Sequence, residues 1–297
     1  AKGLDVTLLQ DAAAKDDKPP FKFYGDLTAQ GVRIEKIPLD DANAIQAAVA
    51  GQSYTHVFDN YAKNKDTVAT AAGLARQWNV KNYAYVSSAG MYKAEVAQPM
   101  VETADHKQTG QFEVECYLRD MGIPYSAFRP QYIYGPTTNK RDYLDWFFDR
   151  IVRDKECPVP GNGNQKASIT HCEDVAGMIS SVVGNEAAAA GQVFNCGTDL
   201  CHTYAEVCGM VGNVVGRTPK IVSYDPKKFP DLPKGAFPFR NDAFYVTPDK
   251  AKAILGWQRQ HSLGEDLPWY YQSYLDAGLH TKDMQFETDA QILGSTV

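Results

Sequence analysis

Asp59 and Asn60 close the short apolar run His56–Asn60. A carboxylate beside an amide oxygen is a donor pair suited to Mg²⁺, a hard cation that keeps several waters and needs few protein ligands. A metal anchored on Asp59 could generate a hydroxide for phosphodiester chemistry; the same two side chains could instead hydrogen-bond the loops beyond the strand. Ser87 and Ser88 end the run Tyr83–Ser87, either as ligand-contacting hydroxyls or as hydroxyls that close a turn. Arg129 and Tyr132, in FRPQYIYGP, could line a nucleotide crevice, the other option being an arginine buried against a carboxylate. His171 opens HCEDVA and reads as a satisfied structural histidine. No His pair or acidic triad stands at nuclease spacing, so Asp59 and Asn60 are the only catalytic candidates and neither is identified as such.

Basic residues gather in three places: Lys140 and Arg141; Arg150, Arg153 and Lys155; and Lys227, Lys228, Lys234 and Arg240. Arg150 and Arg153 are three apart and share a helix face. Tyr143, Trp146 and Phe147 adjoin them, and rings beside cations are what unpaired bases stack on. The competing reading makes Trp-Phe-Phe core and the cations merely solvated. Such a patch must be local, because the net charge is −6 and the pI about 5.5, giving no global attraction to nucleic acid or anionic membranes. No run of eighteen apolar residues spans a membrane. The cysteines (116, 157, 172, 196, 201 and 208) include no C-x-x-C pair and read as reduced thiols, with a zinc site from Cys196, Cys201 and His202 the weaker option.

These residues need elements to hold them. Apolar runs at Asp5–Leu9, Val32–Ile37, His56–Asn60, Tyr83–Ser87 and Ser126–Ile133 predict strands. Helical patterns at Ala42–Ala50, Asp66–Trp78, Thr109–Met121 and Tyr143–Arg153 lie between them. That alternation predicts an α/β, doubly wound, Rossmann-like parallel sheet. Such a fold begins with a strand and a glycine-rich turn that holds a pyrophosphate. Here the first strand runs into LLQDAAAKDDKPP, which has no glycine, so the expectation is that the first strand and its glycine loop lie upstream of Ala1. The core is expected over 1–157, with 167–197 returning to it, and a smaller mixed lobe over most of 158–297. Within 158–297, Ala167–Ile179 reads as strand into helix, Gly191–Gly197 as a strand, and Thr247–Trp257 as a helix capped by Thr247 and stopped by Gly256.

VSSAGMY, FRPQYIYGP, ITHCEDVA, VFNCG and KAKAILGW occur in the order and spacing of the extended and atypical short-chain dehydrogenase/reductase superfamily, which the chain resembles. In its nucleotide-sugar enzymes the stretch occupied here by KQTGQFEVE carries Tyr-x-x-x-Lys and then Glu. Aligned on Glu115, Lys107 stands in the tyrosine slot and Gln111 in the lysine slot. A phenol activated by a neighbouring ammonium is needed to pass a proton while hydride moves; Lys107 and Gln111 cannot do this. The resemblance then makes Ser87, Ser88, Lys107, Gln111, Arg129 and Tyr132 a vestigial cofactor crevice, and it weakens the case for NAD(P) binding.

KPPFKFYGDL, FDNYAKNKDTV, WFFDRIVRDKECPVPGNG, YDPKKF and KGAFPFRNDAFYV more closely resemble the chloroplast stem-loop-binding proteins, over about Val6 to Leu293. That family is described as divalent-metal-dependent endoribonucleases associated with transcripts and ribosomes. The likeness implies RNA binding, a candidate Mg²⁺-dependent cleavage, residence in the chloroplast stroma with a transit peptide absent from this form, and assembly with itself or a close paralogue. Two alternatives stay open: an NAD(P)-dependent sugar-nucleotide or isoprenoid reductase, and a non-catalytic dinucleotide-binding subunit.

Overall fold

A computed structural model describes residues 3–138 and 140–294. In chain order its first half comprises β1 Thr7–Asp11, α1 Tyr24–Ala29, β2 Arg33–Ile37, α2 Ala42–Ala48, β3 His56–Asp59, α3 Lys65–Trp78, β4 Asn82–Val86, α4 Gly110–Asp120 and β5 Tyr125–Pro130. The helices start where the sequence supplies a cap. Asp41 accepts from the amides that open α2, Asn64 and Thr67 form a reciprocal capping box on α3, and Thr109 caps α4. Asn79 ends α3 in the left-handed region.

The second half comprises β6 Ile133–Tyr134, α5 Asp142–Ile151, β7 Glu156–Pro160, β8 Lys166–Ala167, β9 Thr170–His171, α6 Cys172–Ser180 and α7 Glu186–Ala189. These are followed by β10 Gln192–Cys196, β11 His202–Thr203, α8 Tyr204–Val215, β12 Lys220–Tyr224, α9 Asp249–Leu255, α10 Leu263–Asp276 and α11 Glu287–Leu293.

β3, β4, β5 and β10 form a parallel sheet in the order β10-β5-β4-β3. Successive side chains point to opposite faces, so the residues of β4 sort themselves by parity. Tyr83 and Tyr85 pack with Val68, Ala72, Val114 and Leu118 of α3 and α4. Ala84 joins Phe128 and Phe194 on the opposite face, against Val175 and Met178 of α6 and Ala251 and Leu255 of α9. Helices therefore cover both faces, as the Rossmann-like expectation requires. β1 and β2 make a separate parallel pair, and no backbone ladder joins β1 to β3. A side-chain bond from Tyr54 Oη to Thr7 Oγ1, 3.0 Å, spans the two parts.

The lobe is a layer of α5, α8 and α10 around Phe147, Phe148, Tyr204, Val207, Tyr270 and Tyr274, flanked by the parallel pair β7–β12. Burying each such ring stabilises by about 1.5–3 kcal/mol. The Trp146–Phe148 stretch is thus core, the competing reading given above.

Candidate functional site

Open α/β sheets bind ligands beyond the carboxyl ends of their strands. At the ends of β4, β5 and β10 the polar side chains bind one another. Ser87 Oγ donates to Glu115 Oε1 at 2.6 Å, and Arg129 grips Glu115 through Nε (3.0 Å) and Nη2 (2.7 Å). Arg129 Nη1 donates to Tyr92 Oη at 2.9 Å, and Tyr92 Oη donates in turn to Asn195 Oδ1 at 2.7 Å. Arg129 and Glu115 are 2% and 3% exposed, so this is a buried, mutually satisfied network. Burial opposes the charge on Arg129, but Glu115 and Tyr92 outweigh it and raise its pKa further. Burial pushes the Tyr92 phenol up to about 12, which leaves it protonated near neutrality.

Lys107 is exposed, its backbone amide donating to Met91 O, and Gln111 sits half-buried in the first turn of α4. Neither faces the large cavity described below. Glu115, used above only to align the chain, is the acceptor at the centre of the network. The signal for it was a carboxylate between the core residues Val114 and Leu118.

Asp59 is buried, and both of its oxygens are committed. Oδ1 accepts from the amides of Tyr61 and Ala62 at 2.8 and 2.9 Å, and Oδ2 accepts from Tyr83 Oη at 2.6 Å. Asn60, next along the strand, is exposed. Asp59 thus makes the hydrogen bonds to the following loop that the second option described.

His171, His261 and Asp266 bring potential ligand atoms within 4.8 Å of one another. Yet His171 Nδ1 accepts the Glu173 amide at 3.2 Å, capping α6, so its proton resides on Nε2. Its ring stacks on His261 at 3.6 Å. His261 faces Asp266 through Nδ1 and Glu173 through Nε2, each at 3.3 Å. Burial and the neighbouring imidazole lower the pKa of His171. Burial also opposes charge on His261, but Asp266 and Glu173 prevail and raise its pKa. The cluster is an ion-paired clasp, and His261 joins it from 90 residues away in the chain, beyond the reach of any local pattern.

Between the sheet edge and the lobe lies an open basin of about 1120 Å³. Tyr132 lines it, with ring centroids 5.1 Å from Tyr143, 4.9 Å from Phe239 and 6.2 Å from Phe244. Its φ of 36° is a left-handed conformation that a bulky residue adopts only under constraint, and such strain collects at ligand sites. Burial raises its phenol to about 12, and its oxygen accepts the Arg240 amide at 3.1 Å. The Arg240 guanidinium lies 3.6 Å over Phe244 and donates to Gly90 O at 2.8 Å. Lys140 Nζ lies 4.7 Å over Tyr143. Lys140, Lys234 and Lys282 line the basin, and among the described residues none of them pairs with a carboxylate.

The cations anticipated for RNA divide accordingly. Lys140, Lys234 and Arg240 reach the basin, and Arg150 also lines it. Lys155, Lys227 and Lys228 are exposed elsewhere, and Arg141 pairs with Asp145 at 2.9 Å. Arg150 corrects the expectation of a solvent-facing patch. It is buried, bidentate to Asp289 at 2.8 and 2.7 Å, and stacked 3.7 Å over Trp146. Arg153 donates to the carbonyls of Leu279 and Lys282, both at 2.7 Å. The two arginines share a face, but that face fastens the C-terminal segment.

The chain matches the NAD dependent epimerase/dehydratase family over residues 2–197 and belongs to it. It is also 32% identical over 260 residues to the chloroplast stem-loop binding protein of 41 kDa b of Arabidopsis thaliana, covering 85% of this chain and 67% of that protein. The resemblance set out from the sequence thus holds over most of the chain. A trifunctional UDP-glucose 4,6-dehydratase/UDP-4-keto-6-deoxy-D-glucose 3,5-epimerase/UDP-4-keto-L-rhamnose-reductase of the same plant, RHM2, is 24% identical over 193 residues, which span 63% of this chain and 27% of that protein. Among solved structures, the dTDP-glucose 4,6-dehydratase DesIV of Streptomyces venezuelae, with NAD and TYD bound, superposes with a TM-score of 0.70 at 16% identity, covering 92% of this chain and 88% of that one. The epimerase Mth375 of Methanothermobacter thermautotrophicus gives 0.69 at 16% identity, covering 94% and 95%. These two establish the fold alone.

Proposed function

We propose that this protein binds single-stranded or looped RNA in the basin, on an epimerase/dehydratase scaffold that no longer carries out hydride chemistry. One observation carries the reading: in a chain of net charge −6, one concavity brings Lys140, Lys234, Lys282 and Arg240 together with Tyr132, Tyr143, Phe239 and Phe244, and of the carboxylates that also line it Asp145, Asp149 and Asp289 are paired with Arg141, Arg153 and Arg150, leaving Asp142 and Glu287. Unpaired lysines meet phosphates, and aromatic faces take unstacked bases. The name of the stem-loop binding relative points the same way. Loss of hydride chemistry is supported by Lys107 and Gln111 in the relay positions and by Tyr92 held protonated in a closed network.

The proposal extends to the chloroplast stroma, to transcripts and ribosomal RNA, and to assembly with itself or a close paralogue, all on the strength of the resemblance. It stops short of Mg²⁺-dependent cleavage, because Asp59, the candidate anchor, already closes a turn. The test is anisotropy with labelled single-stranded and stem-loop RNAs over a salt series. Changing Lys140, Lys234 and Lys282 together to alanine should weaken binding across sequences and reduce the log–log salt slope by roughly 2–3. Unchanged affinity in the folded triple variant would move the site elsewhere.

A further inference from the structure

Trp146, Arg150 and Phe286 line one stretch of the basin wall. The Arg150 guanidinium lies 3.7 Å over the Trp146 ring and 5.2 Å over the Phe286 ring, with Asp289 gripping its edge. Trp146 is packed into the lobe, where its ring meets Phe147 and Phe237. Phe286 is half-buried and stands outside the apolar cluster of the lobe. The rings around Tyr132 pack largely on one another, and Lys140 and Arg240 occupy faces of Tyr143 and Phe244. Phe286, by contrast, has a cation on one face and, among the described residues, no ring on the other. The next residue, Glu287, is exposed and has no cation partner among the described residues, so this stretch of wall disfavours a phosphate.

We propose that the open face of Phe286 seats one unpaired base of the RNA, which adds a layer to the Trp146–Arg150–Phe286 stack. The inference rests on the RNA-binding reading above and adds a contact which that reading does not use. A phosphate or a ribose has no flat face to lay on the ring, whereas every base has one, so the seat accepts a base without regard to sequence. The buried Arg150–Asp289 pair fixes where the ring stands, so little ordering is left to be done when the base arrives.

The test compares an adenosine nonamer with an abasic nonamer, which keeps the ribose–phosphate chain and lacks the bases. Phe286→Leu keeps an apolar cover over Arg150 and removes the flat ring. It should weaken binding of the adenosine nonamer by about fivefold or more, the worth of one stacked base, and leave binding of the abasic nonamer as in wild type. The salt slope for the adenosine nonamer should not change, since no phosphate contact is lost. Unchanged affinity of the folded variant for the adenosine nonamer overturns the seat. An equal loss for both oligomers overturns it as well, because a displaced wall and not a lost stack would be the cause. Failure of wild type to bind either oligomer instead overturns the underlying assignment of the basin to RNA. Should Phe286→Leu not fold, Phe286→Trp decides the matter. The emission it adds over wild type should be quenched on binding the adenosine nonamer and not on binding the abasic one; unquenched emission in the adenosine complex excludes the stack.

Discussion

Arg129 and Glu115 hold each other where ligands of this fold class ordinarily approach the sheet, and the consequence is structural. Removing one partner strands a buried charge. Arg129→Met should therefore lower stability by about 3–5 kcal/mol in urea unfolding, and the double change with Glu115→Leu should cost less than the sum of the two single changes. An Arg129→Met variant that unfolds at the wild-type midpoint would show that the network does not hold the fold. Asp59→Asn tests the other buried carboxylate. Losing a charged acceptor for Tyr83 Oη should cost about 1–2 kcal/mol, with RNA affinity kept within about threefold. A large loss of affinity at full stability would return Asp59 to the candidate list. Both residues stood in the sequence with two open options. The partners they have in the structure (Glu115 for Arg129, Tyr83 for Asp59) come from other elements, so no local spacing could show them.

At the scale of elements, α5 shows how a correct face can be given the wrong direction. Arg150 and Arg153 were legible as neighbours on one helical face, but the neighbouring Trp146, Phe147 and Phe148 turn the helix so that this face points at 279–289. There Arg150 grips Asp289, whose carboxyl pKa burial raises and Arg150 pulls back. Charge reversal of Arg150 and Arg153 together should loosen the segment 282–293, visible as faster proteolysis and hydrogen exchange confined to that stretch. The salt slope for RNA should stay close to that of wild type, because both guanidinium groups are taken up by protein acceptors. A slope reduced by roughly two would place both arginines on the backbone of the RNA. The basin's aromatic members were harder to read. Phe239 and Phe244 come from KGAFPFRNDAFYV, an irregular segment with neither helical nor strand period, and only the folded lobe carries them to Tyr132.

Over the whole molecule, the parallel sheet and its helix-covered faces were legible because short apolar runs and capped helices repeat along the chain, whereas α5, expected in the core over 1–157, packs with α8 and α10. The clasp between α6 and α10 was not, and it makes stability depend on pH from both sides. His261 has a raised pKa, so its contribution is complete below about 6.5, the value for an unfolded histidine, and is lost as pH rises through its folded value. His171 has a lowered pKa, so its contribution is complete above about 6.5 and is lost as pH falls through its folded value. Melting temperature plotted against pH should thus crest near about 6.5, and His261→Asn should flatten the alkaline limb; an unaltered alkaline limb would remove His261 from the balance. The position of β4 and β5 in the sheet has a different consequence, one of cooperativity. Each has a laddered neighbour on both sides and helices over both faces, so these two strands should be the last to open. In native-state hydrogen exchange their amides should report a higher opening free energy than those of β10, which is laddered on one side only.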